Sequence, residues 1–278
     1  MNAQTTGRMQ DKVVLVTGAA SGIGEAAALL FHAEGARLVL ADIDQERGAA
    51  LAARLGASFI AADVSREEQV EAAVLHTVRQ HGRIDCMINN AGVVGAVGSI
   101  METDARAWHA TQAILLDSVF FGIKHAARRM RERRSGVILS LSSIAGVMGG
   151  LGPHAYTAAK HAVIGLTRSA ASELSQYGIR VNAVAPGTTV TPLVEGIRGG
   201  REAAIQGATQ VSPLGSPLMP DEIAAALLYL ASDAAAHVTA HTLVVDSGVT
   251  AGGFASGASV LRDRPMSFIG PSGQGEHP

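Results

Sequence analysis

Seven short apolar runs recur along the chain: "KVVLV" (12–16), "ARLVLAD" (36–42), "ASFIAADV" (57–64), "RIDCMINNAG" (83–92), "GVILSLSS" (136–143), "GIRVNAVAPG" (178–187) and "HTLVVDSG" (241–248). Each is too short and too uniformly apolar for a surface helix, and the pattern predicts strands buried on both faces. Between them lie longer segments with helical spacing of apolar positions. "EAAALLFHAEG" and "QERGAALAARLG" stop at Gly35 and Gly56. "SREEQVEAAVLHTVRQHG" starts with Ser65 and Glu68 spaced as a capping box. A long helix is expected over 104–133, another from 154 to about 177, and a last one at "PDEIAAALLYLAS" (220–232), with Pro220 and two acids in its first turn. Strand and helix thus alternate from 12 to about 248 with no break in composition. This predicts a single-domain, doubly wound parallel α/β sheet of Rossmann type.

Two segments depart from the alternation. Residues 188–219 are rich in Gly, Pro and Thr, and such a long connection reads as a substrate lid on a domain spanning 1–251. Residues 252–278, rich in Gly, Ser and Pro, read as an extension that is mobile or docks on a neighbouring subunit.

Candidate chemistry sits at two points of this frame. The turn "TGAASGIG" (17–24) holds Gly18, Ser21, Gly22, Ile23 and Gly24 between the first strand and the first helix. Glycines there let backbone approach a pyrophosphate, and the helix N-terminus supplies free N–H groups and the positive end of its dipole. The spacing is G-x-x-x-G-x-G rather than G-x-G-x-x-G. Asp42 ends the second strand, where a carboxylate accepts bonds from both adenosine ribose hydroxyls and repels a 2′-phosphate. Neither Ile43 nor Asp44 beside it is basic, nor is Ser21, which favours NAD over NADP. The second point is "HAYTAAKHAV" (154–163), which sets Tyr156 and Lys160 one helical turn apart. A cation beside a phenol favours the phenolate, so the pair is expected to act as an acid/base with a lowered tyrosine pKa.

Composition narrows the setting. The chain is 47% hydrophobic and 4% aromatic, with a formal charge of −2, so no basic face for nucleic acid or an anionic membrane is expected. No run approaches the ~18 apolar residues of a membrane span. The start, "MNAQTTGRMQDK", has no apolar segment like a signal peptide. Cys86 is the one cysteine and reads as a core residue. A soluble, cytoplasmic protein is expected. His154 and His161 lack metal-ligand spacing, so no metal is expected. "RRMRERR" (128–134) reads as a solvated C-terminal helical turn.

Over roughly residues 10–250 the chain resembles the short-chain dehydrogenase/reductase family. The resemblance is carried by "TGAASGIG", "ADI" with Asp42, "ADV" with Asp63, "NNAG" (89–92), "SLSS" with Ser143, "YTAAK" (156–160) and "PG" (186–187). It is similar to members that oxidise secondary alcohols on cyclic, apolar skeletons. The resemblance implies that Tyr156 is the general acid/base and that Lys160 lowers its pKa and binds the nicotinamide ribose. It implies that Ser143 bonds the substrate oxygen, and that Asp63 and Val64 border the adenine with Ile43. Asn90, Ala91 and Gly92 would line the cofactor, and Pro186, Gly187 and Thr189 would meet its nicotinamide end. It also implies a homotetramer and a small alcohol or ketone substrate, in a pocket expected to include Ala145, Val147, Met148, Leu151 and the lid.

Two positions depart from the family pattern. Leu115 stands where the family usually has an Asn that helps hold a water on the proton path. Here its backbone carbonyl, or Asp117 or Ser118, is expected to substitute. Thr189 stands where Ile or Val is commoner, with its backbone expected to do the work. The resemblance sets carbonyl chemistry above reduction of an activated C=C bond, because enoyl reductases space the tyrosine and lysine further apart. A non-catalytic dinucleotide sensor or scaffold is the alternative of another class.

Overall fold

The computed structural model describes residues 7–251 and two short paired strands, Phe268–Ile269 and Gly275–Glu276. Apart from those strands, the extension 252–278 lies outside the described residues, and so does the expectation attached to it. All seven predicted strands form: β1 (Val13–Thr17), β2 (Arg37–Asp42), β3 (Ser58–Ala61), β4 (Cys86–Asn89), β5 (Gly136–Leu141), β6 (Ile179–Pro186) and β7 (Thr242–Val245). They make one parallel sheet in the order β3-β2-β1-β4-β5-β6-β7.

The uniformly apolar strands are explained by two cores. In β1, Val14 and Val16 point into one core and Leu15 into the other. The first core is covered by α1 (Gly22–Ala33), α2 (Gln45–Leu55) and α9 (Pro220–Ala231), with Phe31, Leu227 and Leu228 fully buried. The second lies under α3 (Glu67–His81), α5 (Ser118–Arg133) and α6 (His154–Leu174). Each strand therefore alternates between two dry interfaces, and the few buried polar strand residues are hydrogen-bonded, as Asn89 is to Ser140 and Asn182 to the Val238 carbonyl. Cys86 is buried in the first core, and burial pushes its thiol up to about 12. It is a packing residue, not a reactive thiol.

The basic run 128–134 closes the C-terminal turn of α5 as expected. Arg133 reaches Asp85 at 3.0 Å and Arg134 bonds the Gln176 carbonyl. Pro220 and the acids Asp221 and Glu222 likewise open α9, where the Glu222 carboxylate accepts the Met219 N–H at 2.6 Å.

Three expectations are corrected. Ser65 is not the N-cap of α3: the helix starts at Glu67 after Arg66. Ser65 instead gives its N–H and O–H to one oxygen of Asp63, at 3.0 and 2.7 Å, so the tighter local turn wins over the cap. The helix expected over 104–133 is α4 (Ala105–Gln112) and α5 joined by a π-helical turn, Ala113–Asp117. Its middle residue, Leu115, is fully buried. The 188–219 segment is not an open loop but carries α7 (Pro192–Arg198) and α8 (Arg201–Val211). Thr191 accepts the Val194 N–H as the cap of α7, and Val190, Ala204 and Ala208 give the pair a small core of its own.

Candidate active site

The strand order reverses between β1 and β4, and the crevice at the carboxyl ends of those strands is where α/β sheets take ligands. A cleft of about 730 Å³ opens there. It begins beside Asp42, Ile43, Asp63 and Val64 after β2 and β3. It passes Gly18, Ser21, Gly22, Ile23, Asn90, Ala91 and Gly92, and ends among Ser143, Tyr156, Lys160, Pro186, Gly187 and Thr189.

The glycine turn fits a phosphate cradle. Gly18 and Gly22 have φ of +64° and +58°, which side-chain-bearing residues rarely adopt. A Cβ on Gly18 would stand 2.6 Å from the Ala91 Cα. The Ser21 side chain makes no capping bond, so the first N–H groups of α1 are left to the cleft. Gly24 is corrected: it does not line the cleft. Its Cβ would fall 2.0 Å from the Gly18 carbonyl oxygen, so it lets helix and turn touch. Asn90 has a bracing role, its side-chain amide donating to the carbonyls of Thr17 at 3.0 Å and Gly18 at 2.9 Å. Asp42 is held by the N–H groups of Ala20 (2.8 Å) and Asp44 (2.9 Å), one on each oxygen. The cap of α2 is Asp44, which leaves the remaining lone pairs of Asp42 free for ribose hydroxyls. Glycine cradle, helix terminus and fixed carboxylate are the donor and acceptor set a dinucleotide needs.

At the other end, β5 delivers Ser143 and α6 delivers Tyr156 and Lys160. The Ala145 N–H bonds the Ser143 oxygen at 3.1 Å, which leaves the hydroxyl hydrogen for the neighbouring Tyr156 oxygen. Lys160 is buried, and its ammonium donates to the Leu141 carbonyl at 2.7 Å. Burial lowers its pKa to about 8. The expected lowering of Tyr156 is corrected for the protein's own residues: burial raises its pKa, and the Ser143 hydroxyl offsets only part of that. The Lys160 ammonium lies 5.5 Å from the centre of the tyrosine ring and is itself costly to keep charged.

Thr189 is buried with its hydroxyl on the Gly187 carbonyl, so its side chain serves the turn. Of the substitutes offered for the missing Asn, Asp117 is exposed outside the cleft and Ser118 gives its hydroxyl to the Ile114 carbonyl. Neither lines the cleft, whereas Leu115 does. Ala145, Val147 and Met148 do not line the cleft, whereas Leu151 does. They lie in the turn after Ser143, whose backbone carries the latter two outward to 41% exposure. His154 and His161 are exposed and off the cleft, His161 bonding the Thr157 carbonyl.

Sequence reasoning missed Thr191 and Asp246. Thr191 lines the cleft and lies 3.3 Å from where a Gly22 Cβ would be; its signal was a helix-capping Thr before Pro192. Asp246 packs behind Gly187 and accepts bonds from Gly248 and Thr250. Burial pushes its pKa up, but those bonds outweigh burial and hold it below the ordinary carboxylate value. Its signal was weak, a lone acid after the last strand.

Comparison with known proteins agrees with this geometry. Residues 18–250 match the family model described as enoyl-(acyl carrier protein) reductase. The chain is 44% identical over 277 residues to the sex determination protein tasselseed-2 of Zea mays, covering 87% of this chain and 82% of that one. It is 43% identical over 244 residues to a mitochondrial borneol dehydrogenase of Lavandula x intermedia, covering 87% and 92%. The crystal structure of levodione reductase superposes with a TM-score of 0.83 at 39% identity, covering 88% of this chain and 100% of that one.

Proposed function

The chain belongs to the short-chain dehydrogenase/reductase family, an oxidoreductase family that uses a nicotinamide dinucleotide, and we propose that it interconverts a secondary, cyclic, apolar alcohol and its ketone with NAD. The convergence of Ser143, Tyr156 and Lys160 at the far end of a glycine-cradled cleft carries this reading. Gly18, Gly22 and the N-terminus of α1 hold the pyrophosphate, Asp42 takes the adenosine ribose, and Lys160 takes the second ribose. The borneol dehydrogenase named above supports the cyclic substrate by its name.

The bound cofactor supplies the hydride acceptor. Ser143 turns its hydroxyl hydrogen from Tyr156 to the substrate oxygen and fixes the alcohol. Tyr156, as phenolate, takes the alcohol proton while the carbinol hydrogen leaves as hydride, so a C–H and an O–H bond break and a C=O bond forms. In reduction the phenol returns that proton. Because burial alone raises the phenol pKa, oxidation depends on positive charge from Lys160, and it should fall away as that ammonium, lowered to about 8, loses its proton. The Leu115 carbonyl orders the water that passes the proton onward.

The match to the enoyl-(acyl carrier protein) reductase family model supports a second reading, reduction of an activated C=C bond. Ser143 and Tyr156 bring two hydroxyls to the same end of the cleft, which suits an oxygen at the reacting carbon and favours carbonyl chemistry. A screen of cyclic alcohols, ketones and enones with NAD and NADP, followed by nicotinamide absorbance, tests both. Turnover of alcohols with NAD is expected; NADH binding without turnover of any substrate would instead mark a sensor. We place the enzyme in the cytoplasm as a homotetramer. Among the described residues no helix is long and apolar enough to cross a membrane. Cell fractionation tests the location, and a monomer in sedimentation at micromolar concentration would refute the tetramer.

A further inference from the structure

The substrate end of the cleft separates charge from the reacting centre. Among the described residues, the only charged side chains lining the cleft are Asp42, Asp63 and Lys160. Asp42 ends β2 and Ser143 follows β5, three strand spacings away in the sheet order. At ~4.8 Å per spacing that is roughly 14 Å, beyond a Debye length at physiological salt. The two carboxylates therefore contribute little at Tyr156, and the one nearby charge, Lys160, is positive.

The walls at that end are apolar and await a partner. Leu193 and Ile197 lie four apart on α7, hence on one face, and both line the cleft. They are 46% and 61% exposed. Val97 and Leu151 face the cleft from the loops after β4 and β5, also exposed. The acid on α7, Glu195, does not line the cleft and is paired with Arg201 at 2.9 Å.

Resting on the proposed alcohol dehydrogenase reading, we propose that the site selects neutral alicyclic substrates and rejects cationic amine rings, and that Leu193 and Ile197 grip the hydrocarbon face opposite the reacting oxygen. A protonated ring nitrogen would lose water without gaining a carboxylate, and would face the Lys160 ammonium. A neutral ring of the same shape covers the exposed side chains at a gain of ~25 cal/mol per Å² buried.

The test uses a matched pair: a cyclohexanol with a tert-butyl group para to the hydroxyl, and the piperidinol in which the substituted ring carbon is a protonated nitrogen. Each is titrated calorimetrically into the full chain with NADH, a combination that cannot react, so binding is read without turnover. The carbocycle is expected to bind at least about tenfold more tightly, tenfold being ~1.4 kcal/mol. Leu193→Asp, an acid in a helix's first turn and so tolerated by α7, is expected to narrow that ratio about tenfold. Leu193→Asn should weaken both ligands and leave the ratio in place. Equal binding of the pair, binding of neither, or an unchanged ratio in Leu193→Asp would overturn the proposal. A binding preference with no turnover of any alcohol would leave it standing and remove the dehydrogenase reading instead.

Discussion

The Lys160 ammonium stands 5.5 Å from the centre of the Tyr156 ring, on the same helix and one turn on, with the Leu141 carbonyl holding it at 2.7 Å. Burial works against the charged form of both groups: it raises the phenol and brings the amine down to about 8. The pair is therefore poised against its own environment, and the consequences are measurable.

Tyr156→Phe removes the proposed proton acceptor and little volume. Turnover should fall at least about a hundredfold, as for loss of a general base. NADH binding and the thermal midpoint should remain near those of the parent. Undiminished oxidation would remove the proposed chemistry.

Lys160 makes stability depend on pH. Its pKa drops from 10.5 in the unfolded chain to about 8 in the fold. Between those values the unfolded chain binds the extra proton, so stability rises with pH across the window. Below it the full penalty stands, on the order of 3 kcal/mol. Lys160→Met should therefore stabilise the protein at neutral pH by about 2 kcal/mol, after the lost Leu141 bond takes back about 1. The gain should vanish above pH 10.5. Urea midpoints at the two pH values measure it.

Asp42→Ala should cut the preference for NAD over NADP about tenfold or more, read as a ratio of kcat/KM. It also strips a partner from the N–H groups of Ala20 and Asp44, so a stability loss of about 1 kcal/mol should accompany it.

Leu115→Asn separates side chain from backbone in the π-helical turn. The site is fully buried, so an amide there should cost about 2 kcal/mol. If the backbone carbonyl holds the water, the pH–rate profile keeps its shape while the thermal midpoint falls. A displaced profile would show that the side chain governs proton flow.

Gly24→Ala tests the turn without touching the cleft. The added methyl would fall 2.0 Å from the Gly18 carbonyl oxygen. A loss of about 3 kcal/mol and weakened NADH binding are expected, by thermal melt and fluorescence titration.

Much of this was legible in the residues. The seven strands announced themselves because burial on both faces leaves few polar positions, as Val14, Leu15 and Val16 show. Tyr156 and Lys160 were legible because helical spacing is local. The misses came from competition that a linear pattern does not rank. Ser65 could cap α3 or bond Asp63, and it bonds Asp63. Residues 192–211 carry helix-permissive sequence, but Gly, Pro and Thr around them suggested a loop, and the small core around Ala204 and Ala208 decides for helices.

By itself, then, the sequence determined the order and type of the sheet's elements, the glycine turn and the Tyr156–Lys160 pair, because each depends on periods of two to four residues. Only the tertiary structure decided the sign of the Tyr156 shift, the bracing roles of Asn90 and Gly24, and the gap between the carboxylates and the reacting centre. Those depend on desolvation and on distances between strands far apart in the chain, which only packing fixes.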